Sequence, residues 1–479
     1  MRSMQWLGLS LAAVFLLLSW GCSTTQAPPT PAPLSAANIN LIFVVSEDLA
    51  YQAPGDVDPS TANLTSQGLQ RSLLMATFLQ QNVLGGKNVS GIYALEPTTH
   101  LQTASLYPDM VALETIQQFA VLNQITLPTD VGLGQFTGNS YPLNASYAPG
   151  GPLPSGVAPP LQVCSVCQGL DFGDQGGDNE NLVTTIMEES VPGFYVFSAP
   201  WETVSSLMAN INQLTGYNLT LPASYQGPNY IYAIAIAPSG ASLATYNSNL
   251  NPPSTYPTLP WRNQFNTPCK TPTFHIAVTG GSGGAVIPPN TNVNETLYMV
   301  RHAEAHPTNF WEDGNYVAAG QWRALYLPNA LQGKINPNQV YSIDPAQVIP
   351  TTHSAWSYAR PSLTVEPYAI ANNLPYNLVT SFELFAPNSP QQTSNFFFTG
   401  GQFNNQTVLM AWEHDHIPPT VNALIASYNG SGPPAPDWPG DDYDTIWTVT
   451  LDATGNLTVD NSLCEGINSA ALPATAPQF

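Results

Sequence analysis

His302 stands directly after the apolar run "TLYMV" and beside Arg301, with Glu304 two residues further on. A second apolar run, "VLMAW", leads at once into Glu413, His414, Asp415 and His416, and Arg360 opens the segment "RPSLTVEP". Imidazoles titrate near neutrality and act as nucleophiles or proton carriers, while planar guanidinium forks match the oxygens of a phosphoryl group. Between residues 291 and 479 the chain carries only four cations, Arg301, Arg323, Lys334 and Arg360, and two of them fall at these turns. Such placement is hard to explain as surface decoration in a chain with nine Lys and Arg in all.

The elements that would position these side chains are written twice. "NLIFVVSED" at Asn40 has the build of "TLYMVRHAE" at Thr296, each a buried strand running into a loop. An amphipathic helical stretch comes next in both, with Gly68 and Gly320, Arg71 and Arg323, and Leu73 and Leu325 in register. Short strands at Ile92 and Val340 then end in an acid and a proline, and further strands appear at Gly193 and Val408 and at Tyr230 and Tyr443. Strands alternating with helices predict an α/β protein: two tandem three-layer α/β/α sandwiches with mostly parallel sheets, whose chemistry gathers at the C-terminal strand ends. Arg301, His302 and His414 lie at such ends, and Arg360 follows the strand "VYSI".

The order of "VRHAE", the Gly320 helix, "RPSLTVEP" and "WEH" resembles the histidine phosphatase superfamily, the phosphoglycerate-mutase-like fold, over nearly all of residues 291–452. The tail at Trp438, "WPGDDYDTIW", also resembles one found in bacterial members. The resemblance implies a phosphomonoesterase with a covalent phosphohistidine at His302, with Arg301, Arg360 and His414 holding the phosphoryl oxygens and no metal or cofactor required. It leaves two proton donors open, Glu383 and Asp415, of which Glu383 is preferred; Glu304 and Glu413 are read as acids that order the loops. The implied partner is a phosphorylated small molecule. Attack requires a neutral His302, so activity is expected to fall as the medium acidifies through the histidine pKa.

The first repeat has Val45 and Ser46 where the second has Arg301 and His302, and no imidazole directly accompanies "VFSAP". Residues 38–279 therefore read as a structural copy, with a Pro/Gly/Asn-rich insertion at about 127–181, joined through 280–290 to an active copy at 291–479. A non-enzymatic surface protein, whose pocket binds an anion or whose paired domains form a scaffold, is the alternative.

Arg2 followed by the apolar stretch from Leu7 to Leu18 reads as an export signal too short to span a bilayer. Residues 1–22 end at Cys22, where a bacterial lipoprotein would be acylated, and residues 23–37 make a Pro/Ser/Thr-rich tether. The expected location is periplasmic or on the cell surface, with membrane contact only through a lipid on Cys22. Cys164, Cys167, Cys269 and Cys464 suit disulfides in an exported chain, with three pairings open. A net charge of −22 excludes nucleic acid as a partner, and 8% charged residues suit an acidic or harsh medium, because little charge changes there.

Overall fold

The computed structural model describes residues 31–49, 51, 55–99, 101–102, 105–123, 126–128, 135–137, 141–147, 182–305, 313–349, 356–429 and 432–479. Cys22, Cys164, Cys167 and most of the 127–181 insertion lie outside the described residues.

The first half contains β1 (Ile39–Val45), α1 (Ser66–Phe78), β2 (Gly91–Leu95), α2 (Val111–Leu122), β3 (Asn144–Tyr147), α3 (Leu182–Glu189), β4 (Gly193–Ala199), α4 (Trp201–Thr215), β5 (Tyr230–Ala237) and β6 (Gly240–Asn247). After β7 (His275–Val278), the second half runs β8 (Glu295–Arg301), α5 (Ala318–Leu331), β9 (Gln339–Ile343), α6 (Arg360–Asn372), β10 (Tyr376–Val379), α7 (Ser389–Phe398), β11 (Thr407–Trp412), α8 (Ile417–Ser427), β12 (Thr445–Leu451) and β13 (Leu457–Cys464). The six-stranded sheet has the order β6-β5-β1-β4-β2-β3, and the seven-stranded one β7-β13-β12-β8-β11-β9-β10. Apart from β7, the connections follow the same path in both.

Each sheet joins a parallel part to an antiparallel one. β1, β4, β2 and β3 are parallel, as are β8, β11, β9 and β10, whereas β5 and β6, and β12, β13 and β7, add antiparallel strands on the other side. Turns at Gly240 and Gly455 close hairpins there, and a hairpin returns the chain without the helical crossover that parallel neighbours need.

Alternation along the strands sends side chains to two faces. In β1, Ile42 and Val44 pack against Met75 of α1 and Phe119 of α2, while Leu41, Phe43 and Val45 pack toward Val204 and Leu207 of α4. In β8, Val300 faces α5 and α6 while Leu297 and Met299 face α7 and α8. The α1–α2 and α5–α6 layers meet in the middle and share one core: Leu69, Leu73 and Val111 touch Leu325 and Ile370. Polar bonds cross the same boundary, from Gln117 Nε2 to Asn315 Oδ1 at 2.8 Å and from Gln321 Nε2 to Gln118 Oε1 at 2.9 Å.

Two further features depart from the sequence boundaries. β7 lies within residues assigned to the first repeat, yet its ladder to β13 puts it in the second sheet. Upstream of it, Trp261 packs on Trp322 and Tyr326 of α5, and Cys269 forms a disulfide with Cys464, so the second half begins before residue 279. Ile276 of β7 joins the second half's core, which explains why the segment crosses over. Among the described residues no helix is long and apolar enough to cross a membrane.

Candidate active site

Parallel pairing of β8 with β11 sets Arg301 opposite Trp412, and the ladder continues one step as the His302 N–H donates to the Trp412 carbonyl at 3.0 Å. That register puts His302 beside Glu413 and next to His414. The His302 ring is buried, and its Nδ1 lies 2.7 Å from the carbonyl oxygen of Ala303. A carbonyl only accepts, so Nδ1 carries the proton and Nε2 presents its lone pair. Burial, then Arg360 and Arg301, press the pKa of His302 down to about 3, against the opposing pull of Glu413. The imidazole is therefore neutral through most of the pH range.

α6 delivers Arg360 at its first residue. The Ala303 N–H donates to Thr364 Oγ1 at 2.8 Å, and that hydroxyl donates to the Arg360 carbonyl at 2.7 Å, which ties the first turn of α6 to the residue after His302. The Arg360 N–H donates to Gly314 O at 2.9 Å. Gly314 has φ +74°, and a Cβ there would stand 1.9 Å from the Ser357 carbonyl, so only glycine fits. The Arg360 guanidinium is buried and lies 4.7 Å from the centre of the Tyr358 ring. Burial lowers its pKa to about 10, partly offset by Glu413, and it stays charged.

Arg301 is held by the tail. Its Nη1 donates to Gly440 O at 2.7 Å and Asp442 O at 3.0 Å, and its guanidinium lies 4.0 Å above the Tyr443 ring. Asp442 is itself fixed: its carboxylate accepts from the Thr271 and Thr445 hydroxyls at 2.6 Å each. Behind this loop, Arg323 is fully buried among Glu304, Asp444 and Glu465. Glu304 thus belongs to the buried ion cluster behind the loop.

Glu413 has a larger part than expected. Its Oε1 lies 3.6 Å from His302 Nε2 and 2.5 Å from His414 Nδ1, and its Oε2 lies 3.3 Å from His416 Nδ1 and accepts from the Asp415 N–H at 2.8 Å. Burial pulls this carboxyl upward, and its contacts with His302, His414 and His416 outweigh that and hold it well below the usual carboxylate range. Asp415 is exposed, with Oδ1 3.4 Å from His414 Nε2. Glu383 is also exposed, on the loop whose Phe385 ring packs against Tyr358 and His416 at 5.4 and 5.7 Å. None of the contacts described for His302, Glu413 or His414 involves Glu383.

His302, Arg301, Arg360 and His414 are thus gathered at one strand edge, with Asp415 at its rim. Sequence reasoning passed over Tyr358 and Tyr443, whose rings stand edge-on to His302 at 6.2 Å each. Both lie inside or beside motifs that drew attention for other residues. Ligand atoms of His302, Glu413 and His414 come within 4.8 Å of one another, the spacing of a metal site. Two guanidiniums beside them oppose a cation and suit an anion.

No protein-family model matches the chain, and no curated protein does. Among solved structures, the chain is similar to a protein assigned as the phosphohistidine phosphatase SixA from Agrobacterium tumefaciens, with 18% identity and TM-score 0.22 over 33% of this chain and 92% of that one. A second, from Nakamurella multipartitia and assigned the same activity, shows 15% identity and TM-score 0.25 over 39% of this chain and 94% of its own. A histidine-to-alanine variant of phosphoserine phosphatase from Entamoeba histolytica, with phosphoserine bound, shows 11% and 0.20 over 35% and 97%. Scores of this size assign neither a family nor an activity, and what carries weight is the geometry around His302.

Proposed function

We propose that the chain is an exported phosphomonoesterase of the histidine phosphatase type, built from a duplicated unit whose second copy alone is active. The observation that carries this reading is the state of His302: a buried, neutral imidazole whose Nδ1 proton is fixed on Ala303 O, leaving the Nε2 lone pair free of that proton in a site it shares with Arg301, Arg360 and Glu413.

In this mechanism Nε2 attacks phosphorus, the P–N bond forms as the P–O bond to the leaving group breaks, and water later releases inorganic phosphate from His302. The guanidiniums of Arg301 and Arg360, with His414, balance the charge carried by the phosphoryl oxygens. Glu413 positions His414. Asp415, in contact with His414, is better placed than Glu383 to supply the proton the leaving oxygen needs. The substrate is a phosphorylated small molecule, and Cys22 is the proposed lipid attachment through which the protein meets a membrane.

Hydrolysis of p-nitrophenyl phosphate by the purified chain tests the reading. His302→Ala should lower kcat by roughly 10⁴-fold or more, and rapid quenching of the native protein should trap an acid-labile phosphoryl label on His302. Phosphate binding without turnover or label would move the protein to the anion-binding alternative.

A further inference from the structure

We propose that the Tyr358 hydroxyl is a further ligand-contacting group of the His302 site, donating a hydrogen bond to a non-bridging oxygen of the bound phosphoryl group. The inference rests on the reading of the site given above.

Tyr358 is 1% exposed, and its hydroxyl has no hydrogen-bond partner among the described residues. Tyrosines buried as deeply behave otherwise. The hydroxyls of Tyr232, Tyr246, Tyr316, Tyr376 and Tyr428 are bonded to Gln226, Ala32, Gln321, Ser362 and Gly455. Burying a hydroxyl without a partner is costly, so an exception points to an acceptor that arrives from outside.

The position of Tyr358 says which acceptor. Its ring stands edge-on to His302 at 6.2 Å and lies under the Arg360 guanidinium at 4.7 Å, while its N–H is anchored to Gln347 O at 2.6 Å. Burial first, and then the negative charge of Glu413, hold the phenol well above its ordinary pKa, so it remains a donor at every working pH. Arg301 has Nη1 committed to Gly440 O and Asp442 O, which leaves fewer of its donors for a ligand. A phosphoryl group brings three oxygens in need of donors, and a fixed, protonated phenol adds one. No proton is transferred; the bond only strengthens as charge builds on oxygen.

Tyr358→Phe keeps the ring and removes the hydroxyl. In the full chain, kcat/KM should fall about 10- to 100-fold, to the same extent for p-nitrophenyl phosphate and for an alkyl phosphate, and affinity for inorganic phosphate should weaken as well. The melting temperature of the ligand-free variant should stay level or rise, because an unpartnered hydroxyl has been removed. Unchanged phosphate affinity and turnover overturn the proposal, as does a lower ligand-free melting temperature. A loss confined to the alkyl ester also overturns it, since that would make Tyr358 the proton donor. If the native chain binds phosphate without turning over esters, the phosphatase reading fails while phosphate affinity still decides the role of Tyr358; no phosphate binding sinks both.

Discussion

The same backbone bond ends the leading strand in both halves, but the turns beyond it carry different side chains. The Ser46 N–H donates to Ala199 O at 3.0 Å, as the His302 N–H does to Trp412 O, so the two turns leave their sheets alike. In the first half the turn carries Ser46, Glu47 and Asp48, all buried, and α4 brings Trp201 and Glu202 where the second half brings His414 and Asp415. One edge is acidic and aromatic, with the Tyr225 hydroxyl bonded to Glu47; the other gathers two arginines about an imidazole. On the proposed function, a phosphoryl group would be repelled by the first edge and held by the second. The topology is therefore a scaffold on which a handful of side chains decides the chemistry.

The sharpest way to break the comparison is through the paired helix arginines, Arg71 and Arg323. Arg71 reaches Asp56 at 2.7 Å at a partly accessible position, whereas Arg323 is sealed among Glu304, Asp444 and Glu465. Removing Arg323 leaves three acids buried without their cation. Arg323→Ala should cost about 3–5 kcal/mol of unfolding free energy, against about 1–3 kcal/mol for Arg71→Ala, read from urea midpoints. Arg323→Ala should also loosen the Tyr443 loop and with it Arg301. Equal losses in the two variants would mean that the second edge has no special support.

Much of this site was legible before the structure. The two apolar runs located His302 and His414, because a buried strand must deliver the residues after it to the sheet edge, and Arg360 was placed near them by its position after β9. The role of Glu413 was not legible: it depends on the register of β8 against β11, strands far apart in sequence. The clamp on Arg301 depends on carbonyl groups of Gly440 and Asp442, which leave no trace in residue type. The antiparallel pairing beside each parallel ladder was not legible, because strands buried on both faces, such as β5, lose the alternation that would mark it. β7 escaped because four residues carry too little pattern to assign to a sheet, and the pairing of Cys269 with Cys464 follows from that assignment.

The acid side of the activity profile gives the next largest effect, and it moves the expected fall of activity in acid to well below the ordinary histidine range. An ordinary imidazole, with pKa of about 6.5, would be roughly 3% neutral at pH 5. With its pKa near 3, His302 stays almost wholly neutral there. The value of kcat/KM at pH 5 should thus lie within about twofold of its plateau rather than about thirtyfold below it. An acid limb centred near pH 6.5 would show that Arg360, Arg301 and burial do not govern the nucleophile. Chemistry of this kind suits the acidic medium suggested by the scarcity of charge.

The smallest predicted effect lies where the halves meet. Glu114 on α2 and Glu366 on α6 stand at matching places in the two halves, each 252 residues apart as Arg71 and Arg323 are, and both are buried. Burial raises Glu114 to about 8, and burial with Glu114 and Asp109 nearby raises Glu366 well above the carboxylate range. Tyr256 and Tyr316 also face Glu114, and neither supplies a positive charge. A carboxyl whose folded pKa exceeds its unfolded value stabilises the fold fully below the unfolded value, about 4.5, and loses that contribution as pH rises toward the folded value, about 8. Thermal unfolding should accordingly be later at pH 5 than at pH 8, and Glu114→Gln should flatten the slope by at most about 1.4 kcal/mol per pH unit. A slope unchanged in Glu114→Gln would place this carboxyl in contact with water, and the two halves would then be held together by apolar packing and uncharged hydrogen bonds, without a pH-sensitive pair between them.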